Sequence, residues 1–141
     1  MSRIIDTNSS GKERELLLKS VVVAHKVLST HSDMNAESRD LAVFIAQALI
    51  QVSDTVEKSI QAWENRGYWI KADQFRTQWA WTSRSAGIMN EAILQNNWRM
   101  INETSDMIGQ KLSHIKISNR HGLGRPWENA WKKQMKTPGR K

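Results

Sequence analysis

Apolar residues recur every three or four positions over most of the chain, which is the period of an α-helix. The clearest run is a seam of mostly apolar residues in which steps of three and four alternate without a break: Ala72, Phe75, Trp79, Thr82, Ala86, Met89 and Ile93. Pro126 and Pro138 are the only prolines, so no proline interrupts a helix before residue 126. The pattern predicts an all-α protein.

Polar breaks divide this pattern into four predicted helices. In chain order they run from about Lys12 to Ser29, from the Ser29–Asn35 turn to about Gly67, through residues 72–93, and from the Gln95–Asn97 break to about Ile117. Ser10 and Glu13 have the spacing of a capping box at the start of the first helix. Four helices joined by short turns predict an up-down-up-down four-helix bundle over residues 12–117, preceded by a disordered N-terminus at residues 1–11.

The third predicted helix carries a second apolar stripe besides its core seam. At 100° per residue, Thr77, Trp81, Ile88 and Ala92 lie well over 90° around the helix from that seam. Soluble monomers usually cover such a patch, so we expect Trp81, Ile88 and Ala92 to form an interface between copies of the chain. The alternative is a wide core-facing surface within one copy.

Positive charge is concentrated at the C-terminal end of the chain. Residues 118–141 carry seven Lys and Arg against one acidic residue, which is +6 of the formal net charge of +7. Residues 120–126 have the composition of a flexible linker, and Pro126 suits the first turn of a short helix at 126–136. The sequence thus predicts a basic, Trp-containing C-terminal extension at 118–141.

Cations with interspersed aromatic rings suggest a polyanionic partner, and the candidate nucleic-acid-binding residues of the extension are Arg125, Trp127, Trp131, Lys132, Lys133 and Lys136. A tryptophan stacked on a base contributes about 1–3 kcal/mol. The same rings equally suit an amphipathic helix that docks into a protein groove, and the sequence leaves these two uses open. Lys71, Arg76 and Arg84 of the third helix are further candidates, although they do not share one line and also fit ordinary solvated positions.

Motifs for catalysis and for cofactors are weak. The absence of Cys excludes disulfides, thiolate metal sites and Cys nucleophiles, and the four His residues have no metal-binding spacing. Gly122–Gly124 follows no strand and lacks the Lys-Ser/Thr pair of a phosphate loop. Lys19 before His25 is the nearest approach to a helical ribonuclease, but Lys lacks the bidentate fork of Arg. We expect a non-enzymatic protein without a metal or a cofactor.

Hydropathy gives no sign of a membrane partner. The N-terminus has no apolar signal core, and the longest apolar runs, such as Val21–Ala24, are far too short to span a bilayer. We expect a soluble, cytoplasmic protein.

The helix order and two stretches of sequence carry a family resemblance. The first stretch begins at Ala72–Asp73 and continues through Trp81–Ile88, and the second is Met107–Gly109 with the basic end of the fourth helix after it. Over residues 13–122 the chain resembles the small basic four-helix bundles that include the accessory variability determinant proteins of diversity-generating retroelements and the related intervening-sequence proteins of ribosomal RNA genes.

The resemblance implies a homopentamer with a basic surface that binds RNA, with DNA as a second candidate, and a reverse transcriptase. In such a complex the chain would scaffold template RNA and polymerase without being an enzyme itself. The family's basic surface is implied at Arg84, Lys111, Lys116 and Arg120. The extension from Gly122 departs from the family pattern.

Two other functions fit the same features. A small helical subunit of an RNA-guided interference complex shares the size, helicity and basic charge, and it would stack in a filament. A protein-binding adaptor would instead dock Trp127, Trp131 and Met135 into a groove of its partner.

Overall fold

The computed structural model describes residues 7–118 and 121–135. Within these ranges the chain is all-helical and has no strand, so the prediction of an all-α protein is confirmed. Four helices are long and one is short: α1 Thr7–Leu28, α2 Ala36–Asn65, α3 Trp69–Leu94, α4 Trp98–Lys111 and α5 Ala130–Met135. None of these described helices combines the length and apolar character needed to cross a membrane.

Capping side chains fix where α2 and α4 begin. The Asn35 side chain accepts a hydrogen bond from the Ser38 backbone N–H at 2.9 Å, and the Ser38 hydroxyl accepts one from the Asn35 N–H at 2.7 Å. Asn97 accepts a hydrogen bond from the Met100 N–H at 3.1 Å in the same way before α4. Between α2 and α3, Gly67 adopts a φ of +82°, a conformation that favours glycine, and the chain reverses there.

The helix α2 lies at the centre of the packing. It contacts α1, α3 and α5, while α4 contacts both α3 and α1. The largest fully buried aliphatic side chains are Val21, Leu28, Leu41, Val43, Ile45, Leu49, Ile60, Met89, Ile101, Ile108 and Leu112. Because burying one such side chain contributes about 1.5–3 kcal/mol, this shared interior accounts for the association of the four long helices.

The first helix begins earlier than the sequence predicts. It starts at Thr7, so residues 7–11, predicted to be disordered, are helical, and residues 1–6 lie outside the described part. The predicted start at about Lys12 is wrong, because the helix already runs through Ser10, whose side chain is buried. The spacing of Ser10 and Glu13 therefore does not mark the start of the helix. No Gly or Pro precedes Ser10 that would prevent the helix from beginning earlier.

The fourth helix ends earlier than predicted, at Lys111 and not near Ile117. A tight turn follows, with hydrogen bonds from the Ser113 N–H to the Gln110 carbonyl and from the Ile115 N–H to the Leu112 carbonyl. The chain then continues without helix, and Ile115 and Ile117 pack against the core. Apolar spacing misled the prediction because these two side chains serve the core from a non-helical segment.

Candidate nucleic-acid interface

The C-terminal extension is docked on α2 of its own chain. Trp127 is buried, with 2 % of its surface exposed. Arg125 forms ion pairs with Glu37 of α2 and, at 3.0 Å, with Glu128, and its guanidinium lies 5.1 Å from the Trp127 ring centroid. Of the two uses that the sequence left open for Trp127, stacking on a base is not available in this docked state, because the indole is already packed inside the protein.

The short helix α5 is held in place by Asp40 of α2. One carboxylate oxygen of Asp40 accepts a hydrogen bond from the Asn129 N–H at 3.1 Å, and the other accepts one from the Trp131 N–H at 2.9 Å. Asn129 has a φ of +62°, which interrupts the helix predicted at 126–136 and delays its start to Ala130. The Asp40 carboxylate thus takes the place of an N-terminal cap supplied from another helix.

The side chain of Trp131 is half-buried and also faces α2. The Arg39 guanidinium lies 4.6 Å from its ring centroid, within the range of a cation–π contact. Further along α5, the Gln47 side-chain amide donates to the side-chain oxygen Oε1 of Gln134 at 2.8 Å. Of the two uses that the sequence left open for the tryptophans, docking in a protein groove is observed, and the groove belongs to the same chain.

Two of the predicted cationic residues are neutralised by carboxylates. Arg76 of α3 pairs with Glu64 at 2.9 Å and with Asp73 at 2.6 Å, and the hydrogen bond to Glu64 raises the pKa of Arg76. Arg125 is paired as described above. A cation that already has a carboxylate partner must give up that partner to contact a phosphate, so these two residues are weak candidates.

The other predicted cations differ in their surroundings. The Lys71 amine lies 5.1 Å from the Trp63 ring centroid, and Lys133 is exposed on α5. Exposed side chains without an ion pair among the described residues are Arg84, Lys111, Lys116 and Lys132. Arg120 and Lys136 lie outside the described residues. The structure therefore leaves the unpaired charge divided among several elements and does not gather it on the extension.

Two clefts lie between α1 and the segment that follows α4. Each has a volume of about 390 Å³, and Ile115 and Lys116 line both of them. His25, Lys26 and Ser113 line the first cleft together with apolar side chains. The second cleft is lined by Gly11, Arg14, Glu15, Leu18, Lys19, Trp79 and His114 besides the shared pair.

We call the part of this region formed by Lys19, Lys26, His114 and Lys116 the α1 cleft surface. The sequence prediction included only Lys116 of these four residues. A signal for the others was present, since Lys12, Lys19 and Lys26 recur every seven residues and so lie on one side of a helix. Among the residues that the structure describes, Glu15 is the one carboxylate that lines the clefts, and it pairs with Lys19 at 3.5 Å.

His25 is used for packing between α1 and α4. Its Nδ1 atom lies 2.8 Å from the Ser105 hydroxyl, and a Cβ added to Gly109 would come within 2.4 Å of its Nε2 atom. Burial lowers the pKa of His25, against a smaller effect of Asp106 that raises it. A catalytic imidazole needs a free ring nitrogen that faces the substrate, whereas both nitrogens of His25 face protein groups. This geometry does not favour the ribonuclease alternative.

The residues of the predicted interface between copies differ in how deeply they are buried in their own chain. Ala92 is fully buried in the core of its own chain, so its assignment to that interface is wrong. Trp81 is half-buried and stacks on Trp79, with 6.4 Å between the ring centroids, and Ile88 is 36 % exposed. The second apolar stripe is therefore partly a core-facing surface, as in the alternative reading.

A second apolar patch was not predicted from the sequence. Tyr68, Trp69 and Ile70 are all more than half exposed at the start of α3, and they line a groove of about 520 Å³ with Gly67 and Lys71. The helical period hides this patch, because its residues are consecutive and lie where α3 begins.

Comparisons of the chain with protein-family models, with curated proteins and with solved structures found no match. The resemblance to accessory variability determinant proteins therefore stays a prediction that rests on the residues given for it. The fold and the site define a small all-helical protein with a basic pair of clefts beside α1 and a C-terminal segment docked on α2.

Proposed function

We propose that this chain is a non-enzymatic nucleic-acid-binding protein that contacts its partner through the α1 cleft surface and not through the C-terminal tryptophans. The observation that carries the proposal is the position of Lys116 between two clefts, with Lys19 and Lys26 on the facing helix. Neither Lys26 nor Lys116 has a carboxylate partner among the described residues, so both are available to phosphates.

The spacing of these cations suits a strand. Lys19 and Lys26 are seven residues apart on α1, which is about 10 Å at 1.5 Å per residue. A single strand with bases splayed into grooves and phosphates along a basic rim is a common mode of binding. We therefore favour single-stranded RNA as the partner.

The narrower proposal concerns the complex in which this binding occurs. From the family resemblance we infer an accessory protein of a reverse transcriptase, acting as a homo-oligomer of up-down-up-down bundles that scaffolds template RNA and polymerase. The exposed apolar residues at Ile88 and at Tyr68–Ile70 support contacts to other protein surfaces. Burial of Trp127 disfavours the adaptor alternative, because its anchor residues are occupied within the chain.

Salt-dependent binding of a labelled single-stranded RNA tests the nucleic-acid proposal. Contact with about three phosphates predicts a log–log salt slope of about −2 for a single strand. The double variant Lys26→Gln/Lys116→Gln should flatten this slope to about −0.7. The matched control is Arg76→Gln, which removes a cation already paired with Glu64 and Asp73 and should leave the slope unchanged. Equal slopes for wild type and the double variant would contradict the proposal.

A further inference from the structure

Arg14 of α1 is a partly buried cation without a carboxylate partner among the described residues. Its guanidinium donates to the hydroxyls of Thr55 at 3.2 Å and Ser59 at 3.5 Å, and it lies over the Phe75 ring with 4.9 Å to the centroid. Buried charges in proteins are normally paired with an opposite charge. Arg14 therefore places in the wall of the second cleft a positive charge that no carboxylate of the described residues pairs.

Three more basic groups line the same cleft: Lys19, His114 and Lys116. The one acidic lining residue, Glu15, is 3.5 Å from Lys19 and offsets that charge. Arg14 and Lys116 remain without a counter-charge among the described residues, and both face the same cavity. Two cations that line one cleft suit a phosphate monoester, which carries about −1.5 to −2 charge near neutral pH, better than a phosphodiester with a single charge.

The cleft also offers an aromatic surface and a suitable volume. Trp79 is one of its lining residues, and the Arg14 guanidinium lies 5.7 Å from the Trp79 ring centroid. Indole rings stack with nucleobases, and guanidinium groups grip phosphates. About 390 Å³ falls within the range of small-molecule sites in proteins, which begins at roughly 300 Å³.

We propose that the cleft formed by Arg14, Lys19, Trp79, His114 and Lys116 is a binding site for a nucleotide that carries a terminal phosphate monoester, either free or at the end of a strand. The phosphate binds between Arg14 and Lys116, and the base lies in the apolar part of the cleft, which Leu18, Trp79 and Ile115 line. This inference rests on the proposed function, since it names the part of the nucleic acid that the α1 cleft surface recognises.

Calorimetric titration of the full chain with adenosine 5′-monophosphate, with adenosine and with inorganic phosphate tests the site. We expect the nucleotide to bind more tightly than either fragment. Lys116→Gln should weaken its binding about tenfold, the effect of losing one charge-assisted contact. Lys58→Gln on α2 is the matched control, because Lys58 is exposed and does not line the cleft, and it should bind as wild type does. Arg14→Gln should abolish binding of the nucleotide. If that variant unfolds, the affinity of Lys116→Gln still tests the site.

A pair of RNA oligonucleotides, one with a 5′-phosphate and one with a 5′-hydroxyl, distinguishes a nucleotide at the end of a strand from a free nucleotide. A preference for the phosphorylated strand that Lys116→Gln removes assigns the site to a strand terminus. Binding of the free nucleotide without such a preference supports the site and assigns it to a free nucleotide. If the chain neither prefers the phosphorylated strand nor binds the free nucleotide, the inference is overturned. Salt-dependent binding of the 5′-hydroxyl strand would in that case still support the proposed function. Failure of both strands to bind would overturn the proposed function alone if the free nucleotide still binds.

Discussion

The carboxylate of Asp40 on α2 accepts a hydrogen bond at 2.9 Å from the backbone N–H of Trp131, 91 residues further along the chain. Its second oxygen accepts from the Asn129 N–H, so one side chain satisfies two backbone donors at the start of α5. An isolated helix of six residues is too short to be stable in water. The α5 helix therefore depends on α2 for its existence.

Removal of this carboxylate should release the extension. Asp40→Ala leaves two N–H groups at the start of α5 without their acceptor, and the loss of a helix cap costs about 1–2 kcal/mol. We expect hydrogen exchange in residues 127–135 to accelerate while exchange in the interior of α2 keeps its wild-type protection. Asp54→Ala, at an exposed position of α2 that does not contact α5 through a hydrogen bond or ion pair in the described residues, is the control. Equal protection of α5 in both variants would refute the capping role.

The buried indole of Trp127 should stabilise the docked extension through its volume and not through its N–H. The Nε1 atom is buried without a hydrogen-bond partner among the described residues. Trp127→Phe keeps most of the apolar contact and removes an unsatisfied donor, so we expect it to change stability by less than about 1 kcal/mol. Trp127→Ala should lose about 3 kcal/mol or more of the docking free energy. Limited proteolysis between residues 118 and 127 measures both effects, and equal cleavage rates of the two variants would contradict this account.

The extension also shows what the sequence could and could not predict. Its composition singled out Trp127 and Trp131, because aromatic rings at a four-residue spacing share one side of a helix, but it left base stacking and docking into a protein groove both open. It did not reveal the acceptor surface, since Glu37 in the first turn of α2 and Asp40 in the next turn look like ordinary acidic residues of a helix. Their role depends on contacts with residues about 90 positions away in sequence, and local sequence patterns do not predict such contacts.

The four long helices were easier to predict, because helical period and polar breaks are local properties. Asn35 and Asn97, placed in polar breaks by the sequence, are the observed N-caps. The α1 cleft surface was missed for the opposite reason: Lys116 lines the same clefts as Lys19 and Lys26 because α4 ends at Lys111 and the next segment does not continue as a helix. The sequence alone places Lys116 on a fourth helix that runs to about Ile117.

A pair of glycines provides a matched test of the contact between α1 and α4. A Cβ at Gly109 would lie 2.4 Å from the Nε2 atom of His25, whereas a Cβ at Gly87 of α3 would meet no atom within 4 Å. Gly109→Ala should destabilise the protein by about 1–3 kcal/mol through overpacking. Gly87→Ala should stabilise it by about 0.5–1 kcal/mol through helix propensity. Urea denaturation measures both, and a gain in stability from Gly109→Ala would show that α1 and α4 are not packed as described.

The stability of the protein should depend on pH through His25. Burial lowers the pKa of His25 in the folded state below its ordinary value, so the unfolded chain binds the proton more readily. The free energy of unfolding therefore has its full contribution from this group above about pH 6.5 and loses it as the pH falls toward the lower folded pKa. Asp106 opposes this shift and Lys26 adds to it. Urea denaturation of His25→Gln between about pH 5.5 and 7.5 should show a flatter profile than wild type, and parallel profiles would contradict the assignment.

The remaining prediction concerns self-association through α3. Ile88 is partly exposed, and Trp81 lies seven residues before it on the same side of the helix. Because an exposed isoleucine beside an aromatic ring is a typical interface element, Ile88→Glu should reduce the particle mass measured by light scattering. Leu94→Glu is the control, since Leu94 is more exposed and lies about a third of a turn away around α3. A wild-type monomer, or an equal loss of mass in both variants, would show that this side of α3 is not the contact between copies.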